Sequence, residues 1–365
     1  MSLLQDIKRS LQKPRFKVLT VLVTNICNAK CGTCFYWQNL NTPVDALSLD
    51  EYQQIANKID YFETLLIGGG EPTLAPQLPE IVDAFVKHPW QSIVMPTNGI
   101  KTKQIIGKVE TILRNKPDNR VVVGVSIDGL EELCDDIRGV PGLFRNACKT
   151  LEALAGLKQS YPKLRVTTLT VVINKNQHEI CDLLRYLHSL GFADYHTVEP
   201  LRDLHPDERL GAPDAAMMAQ IHQTCNELSA KTLCERYPEE APLMLSHIRA
   251  LNDEQIHVMK AKRMRFDCRA GEVVAVIEPN GDVRNCELLE VVANLRDHEY
   301  DLMRALQAQK ALAERKYIKT RACSCTHCVN VGQSLPHDFI AEIKRIFDER
   351  KLRNPQARET ALSLK

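Results

Sequence analysis

The sequence has no run of 18 apolar residues, no low-complexity tract and no stretch of basic residues long enough to follow a phosphate backbone. The first absence leaves no membrane-spanning helix to expect. The last, with a net charge of +1, removes the electrostatic basis for nucleic-acid binding. The opening stretch MSLLQDIKRSLQKPRFK is charged and amphipathic, without the apolar segment or small-residue cleavage site of a secretory signal, so a cytoplasmic protein is expected. What remains is an ordinary globular composition, 44% hydrophobic and 25% charged, in 365 residues. That is enough chain for one large core and a smaller appended one.

Cysteine is not scarce. Thirteen is a high count for a reducing compartment, where structural disulfides are rare and metal or redox roles more common. Cys27, Cys31 and Cys34 cluster near the start; Cys268, Cys286, Cys323, Cys325 and Cys328 lie near the end. Cys134, Cys148, Cys181, Cys225 and Cys234 are scattered and read as small buried hydrophobes.

Between residues 16 and about 202, strand-like and helix-like segments alternate in six units: FKVLTVLVT, TLLIGG, SIVMPTN, VVVGVSIDG, LRVTTLTVV and YHTVEPLR are the strands. Ser48 and Glu51 form a capping box ahead of the first helix. Apolar strands separated by helices predict an α/β fold with a parallel sheet, and six units are too few for a closed eight-stranded barrel. The pattern alone leaves a partial (β/α)6 barrel and an open doubly wound sheet both standing. Residues 213–262 read as helical, and EVVAVIEPNGDVRNC reads as a hairpin turning at Asn280-Gly281. A helix-like DLMRALQAQKALAERK, the RACSCTHC segment, a last amphipathic helix and a frayed tail from about Asn354 follow.

CNAKCGTC, residues 27–34, offers three thiols on one short loop after the first strand. Three thiolates can hold three irons of a four-iron cluster and leave one iron open. Zinc is the weaker reading, since no histidine sits in the loop to close its shell. The second strand runs into Gly68-Gly69-Gly70-Glu71-Pro72, which either lets a ligand approach the backbone or simply makes a tight strand-to-helix turn.

Cysteine triplet and Gly-Gly-Glu-Pro motif together resemble the radical S-adenosylmethionine (radical SAM) superfamily. The resemblance covers residues 16 to about 202. It implies that Cys27, Cys31 and Cys34 bind a 4Fe-4S cluster, and that Gly69, Gly70, Glu71 and Pro72 line the pocket for the methionyl amine of SAM. It further implies that Thr97, Asn98, Ser126 and Asp128, at later strand ends, hold the carboxylate and ribose. Asp136-Ile137-Arg138-Gly139 resembles a phrase common in the family. Where an aromatic often precedes the third cysteine, this chain has Thr33, with Phe35 and Tyr36 following as the aromatic candidates for cofactor contact. The chemistry implied is reductive cleavage of SAM to a 5′-deoxyadenosyl radical that abstracts hydrogen from substrate, fed by an electron donor such as flavodoxin or ferredoxin.

Cys268 and Cys286 bracket the expected hairpin, and with a later Cys-x-x-Cys they could close a four-thiolate site for zinc or a second cluster. The arrangement resembles the twitch subdomain, a short form of the SPASM domain. That implies an auxiliary 4Fe-4S cluster on Cys268, Cys286, Cys325 and Cys328, with Cys323 an alternative to Cys325. No cysteine follows Val329, so two clusters in total are expected. The expected division is an N-terminal extension (1–15), a radical SAM partial barrel (16–212), a helical connection (213–262), a twitch-like domain (263–334) and a closing helix and tail (335–365).

An auxiliary cluster near the substrate suits oxidation, dehydration or epimerisation. With only 26 residues ahead of Cys27, a small-molecule substrate is the leading expectation and a peptide the alternative. Glu199, Arg202, Asp203 and Arg138 are the candidate acid, base or substrate contacts, and His196 reads as a packed strand residue. The rival of another class is a non-catalytic iron–sulfur or zinc scaffold.

Overall fold

The computed structural model describes residues 16–353 except Asp203, Ser324 and Asp338, with backbone alone for residues 339–343. The expected N-terminal extension and the tail from Asn354 lie outside the described residues, as does the candidate Asp203.

Six strands, β1 (Val18–Thr24), β2 (Thr64–Gly69), β3 (Ser92–Thr97), β4 (Arg120–Ser126), β5 (Leu164–Val172) and β6 (Tyr195–Pro200), pair in parallel and in chain order. A doubly wound sheet reverses its strand order at a switch point. No reversal occurs within these six, and the result is a partial barrel, open beyond β6. The intervening helices are α1 (Leu49–Asn57), α2 (Leu78–Phe85), α3 (Thr102–Asn115), the pair α4 (Glu131–Arg138) and α5 (Leu143–Leu157), and α6 (Ile180–Ser189). Their apolar stripes pack on the outward-pointing strand residues: Leu19, Val21, Ile67, Ile93, Val123 and Val166 meet Ile55, Phe85, Ile105, Leu151 and Leu184 in one continuous core. The expected capping box is present, Ser48 Oγ accepting from Glu51 N–H and the Glu51 carboxylate accepting from Ser48 N–H.

Two long helices follow, α7 (Ala215–Arg236) and α8 (Ala241–Ala261). The chain then returns to the sheet. Strand β7 (Val274–Ile277) pairs in parallel with β1, so the later cysteine region begins beside the strand that leads into the first cysteine loop. Strand β8 (Asp282–Arg284) forms the expected hairpin with β7, its turn closed by Gly281 at φ +86°, and β9 (Ala293–Asn294) completes a nine-stranded sheet. The segment read as one helix from Asp301 is two, α9 (Leu302–Ala305) and α10 (Gln309–Lys319). The break has a cause: Arg315 Nη2 captures the Leu306 carbonyl at 2.8 Å, and Ala308 is extended. Helices α11 (Cys328–Ser334) and α12 (Phe339–Arg353) finish the described chain. Among the described residues no helix is long and apolar enough to cross a membrane.

Candidate active site

The first cysteine loop leaves the C-terminal end of β1 and is held from three sides. Asn41, at φ +57°, grips Cys27: its Oδ1 accepts the Cys27 N–H at 3.0 Å and its Nδ2 donates to the Cys27 carbonyl at 3.2 Å. On a second side, Lys30 and Gly32 donate to the Arg138 and Ile137 carbonyls at the end of α4. A Cβ on Gly139, which caps that helix at φ +66°, would lie 2.6 Å from the Lys30 carbonyl oxygen. The Asp136-Ile137-Arg138-Gly139 phrase is therefore a docking surface for the cysteine loop.

The third side is the Gly-Gly-Glu-Pro motif. Gly70 N–H donates to the Thr24 carbonyl and Glu71 N–H to that of Ile26, each at 2.8 Å. Cβ atoms on Gly69 and Gly70 would fall 2.1 and 2.2 Å from those same two carbonyl oxygens. The absent side chains thus admit the protein's own backbone, a use of glycine that the sequence does not distinguish from ligand approach. Pro72 is buried at the start of the turn that follows. Glu71 is 2% exposed, and both oxygens are engaged. One accepts from Thr97 Oγ1 at 2.8 Å and Thr73 Oγ1 at 2.6 Å, the other from Asn98 N–H at 2.7 Å. Burial pushes its carboxyl pKa up, against the pull of these donors. Asn98 Nδ2 in turn donates to Asn28 Oδ1 in the cysteine loop at 2.8 Å. The ends of β2, β3 and the loop are one hydrogen-bonded unit.

Beyond Ser126 at the end of β4, Asp128 is fully buried. Its Oδ1 accepts from Val171 N–H at 2.7 Å and its Oδ2 stands 2.6 Å from Arg138 Nε. Burial alone would lower the Arg138 pKa, and the Asp128 charge outweighs it and holds the guanidinium protonated. Arg138 Nη1 also points at Cys31 Sγ, 3.9 Å away. Ala29 N–H points at Cys27 Sγ, 3.5 Å away. Sulfur donors with N–H groups turned toward them suit an iron–sulfur cluster. Burial raises all three thiol pKa values, that of Cys34 to about 12, so the free thiols are poor nucleophiles and ionise readily only when a metal takes the proton's place. Tyr36 is buried two residues after Cys34, and its hydroxyl donates to Glu278 Oε2 at the end of β7, 3.2 Å away. Glu278 is also paired with Arg284.

In the second cysteine set, Cys325 is an electrostatic neighbour of Cys268, Cys286 and Cys323. Burial drives Cys268 up to about 12 and Cys323 to about 11. Asn330 Nδ2 donates to Cys286 Sγ at 3.0 Å, and Leu288 N–H lies 3.5 Å from the same sulfur. Cys268 and Cys286 are buried and Cys323 and Cys325 half-buried, a set that again suits an iron–sulfur group. Cys328, next along the chain, has Glu199, Arg202 and Glu287 as its charged neighbours. Among the described residues no three His, Cys, Asp or Glu side chains converge as a single-ion site. Glu199 and Arg202, candidate acid, base or substrate contacts in the sequence, are bound to each other at 3.0 Å, and Arg202 also to Glu287 at 3.0 Å. Asn41, Glu278, Glu287 and His327 were not singled out by the sequence. Only the last two carried a local signal, each adjoining a cysteine, Cys286 or Cys328.

Residues 21–187 match the family model of the radical SAM superfamily. The chain is 26% identical over 278 residues to the antilisterial bacteriocin subtilosin biosynthesis protein AlbA of Bacillus subtilis, covering 74% of this chain and 54% of that protein. It is 28% identical over 272 residues to the mycofactocin maturase MftC of Mycobacterium ulcerans, covering 73% and 67%. The chain thus spans little more than half of AlbA. In fold it is similar to Streptococcus suis SuiB bound to its precursor peptide SuiA, with a TM-score of 0.57 at 14% identity over 85% of this chain and 69% of that one. With a three-cysteine loop at the end of β1, a Gly-Gly-Glu-Pro turn locked onto it and an open parallel barrel behind both, residues 21–187 form a domain of the radical SAM superfamily.

Proposed function

We propose that the protein is a radical SAM enzyme that modifies a peptide. The observation that carries this reading is the similarity to AlbA and MftC, a bacteriocin biosynthesis protein and a maturase, over about three quarters of this chain and so beyond the family-model span. The likeness to a peptide-bound SuiB fold is in keeping with it. A peptide therefore replaces a small molecule as the favoured substrate.

On this reading Cys27, Cys31 and Cys34 hold a 4Fe-4S cluster, and the ends of β2, β3 and β4, with Gly69, Gly70, Glu71, Pro72, Thr97, Asn98, Ser126 and Asp128, surround SAM. When bound, cluster and SAM supply a carbon-centred radical that takes hydrogen from substrate. The chain's own contribution is placement. Asp128 keeps Arg138 charged and aimed at Cys31, Glu71 fixes the β3 end against the loop, and the Tyr36–Glu278 pair ties the loop to β7. Exposed apolar side chains near the loop, Ile26, Trp37 and Val44, offer docking surface to a peptide. Cys268, Cys286, Cys325 and Cys328, with Cys323 in reserve, would hold an auxiliary 4Fe-4S cluster able to accept an electron from the substrate radical. Residues 16–212 then act as the catalytic barrel, 213–262 as a helical connection, 263–334 as the auxiliary-cluster domain and 335–365 as a closing segment. A flavodoxin or ferredoxin would supply the priming electron.

The test is incubation of anaerobically reconstituted protein with SAM, dithionite and the short peptides encoded beside its gene. A peptide that stimulates 5′-deoxyadenosine formation and changes mass supports the reading. Stimulation by a small metabolite and by none of the peptides overturns it.

A further inference from the structure

Between the two cysteine sets lies a buried cluster of charge to which the reading above assigns no role. Arg202, just past the end of β6, is its centre. Nη2 donates to Glu199 Oε2 and Nη1 to Glu287 Oε2, each at 3.0 Å. The same Glu287 oxygen lies 2.9 Å from His327 Nε2, while His327 Nδ1 accepts the Val329 N–H at 3.2 Å and so leaves the ring proton on Nε2. Glu287 adjoins Cys286, His327 adjoins Cys328, and Glu199 is a close neighbour of Cys328. On its other side the guanidinium covers the ring of Phe35, 4.9 Å from its centre, and Phe35 follows Cys34. One cation therefore touches the barrel strand that carries Glu199, the first cysteine loop and the segment that carries Cys286, and it reaches the Cys328 segment through Glu287 and His327.

The side chains are largely withdrawn from water, Arg202 at 18% and Glu287 at 9% exposure, so their charges are weakly screened. A cation in such a place favours the more negative, reduced state of a neighbouring iron–sulfur cluster, and an anion disfavours it. Valine 198 packs in the outer core, so strand alternation turns Glu199 to the opposite, inner face of the barrel. That places the cluster of charge where electrons would pass between substrate and the second cysteine set. The geometry points to Arg202 as a positioning residue that joins the two cysteine sites and raises the reduction potential of the auxiliary cluster, with Glu287 as the counterweight that limits the rise. The inference rests on the auxiliary-cluster reading above.

The experiment is a redox titration followed by electron paramagnetic resonance on the anaerobically reconstituted full chain, with Cys31→Ala as background so that the auxiliary signal stands alone. Iron is counted first. Protein with Cys31 intact should hold about eight irons per chain in two clusters; four would remove the auxiliary cluster itself, and with it both readings. With two clusters present, Arg202→Met should lower the auxiliary potential enough to reduce the reduced-to-oxidised ratio about tenfold at fixed poise, about 59 mV for one electron. Glu287→Gln should move it the opposite way. Arg202→Lys, which keeps the charge, should stay within about threefold of the parent, or about 30 mV. A purely structural role gives no such inversion of sign. Unchanged potential in Arg202→Met, or shifts of the same sign in the Met and Gln variants, overturns the inference. If Arg202→Met loses its auxiliary iron, Glu287→Gln decides: a rise supports the inference and its absence ends it.

Discussion

Arg138 stands between a carboxylate and a sulfur, its Nε 2.6 Å from Asp128 Oδ2 and its Nη1 3.9 Å from Cys31 Sγ. In the sequence this residue is a candidate acid, base or substrate contact; its surroundings give it a fixed positive charge beside the cysteine loop. Removing one member of such a buried pair leaves the other uncompensated, which typically destabilises by roughly 3–5 kcal/mol. Asp128→Asn preserves shape but not charge. Its urea midpoint should fall by an amount equivalent to about 3 kcal/mol, and a change under about 0.5 kcal/mol would show that the pair carries little.

Two glycines with opposite surroundings test the docking of the Gly-Gly-Glu-Pro turn. Gly70→Ala drives a methyl group into the Ile26 carbonyl, so the turn must leave the cysteine loop, and both stability and iron content of the reconstituted protein should drop. Gly107→Ala meets nothing within 4 Å in the middle of α3 and should raise stability by about 0.5–1 kcal/mol. Thermal melts and iron assays on the two variants check the contrast. Equal behaviour would mean that the turn does not depend on close backbone contact.

Buried histidines give the stability a definite pH dependence. Burial pushes His196 and His222 each down to about 4 from an ordinary value near 6.5. His196 is further occupied by Thr168 Oγ1 at 2.7 Å. The unfolded chain takes up protons on these rings before the folded one does, so their stabilising contribution is complete above pH 6.5 and is lost as the pH falls toward 4. Each adds a slope approaching 1.4 kcal/mol per pH unit within that window. Urea titrations of His222→Leu should show a shallower decline there than the parent, while a parallel decline would exclude the ring as a contributor.

Local patterns carried most of the barrel. Strand periodicity located β1 to β6, the Ser48–Glu51 box marked α1, and Asn280-Gly281 marked the hairpin, because each is decided by residues a few positions apart. His196 is packed as expected; of the five scattered cysteines Cys134 and Cys225 are buried, while Cys148, Cys181 and Cys234 are only half-buried. The pairing of β7 with β1 had no local signature, since a strand's neighbour is chosen by the whole sheet. The same holds for the charged contacts around the site. Tyr36 and Glu278 are 242 residues apart and Arg202 and Glu287 are 85 apart, separations at which only the folded chain reveals a pair. The Gly-Gly-Glu-Pro motif was legible as a motif but not in its internal use, because nothing in the letters distinguishes a glycine facing ligand from one facing Thr24.

The first cysteine loop, once loaded with its cluster, should support cleavage of SAM. Anaerobically reconstituted protein should release 5′-deoxyadenosine when SAM and dithionite are added, and Cys31→Ala should release none while keeping its auxiliary iron. A fully iron-loaded parent that forms no 5′-deoxyadenosine, or a Cys31→Ala variant that forms as much as the parent, would contradict the account.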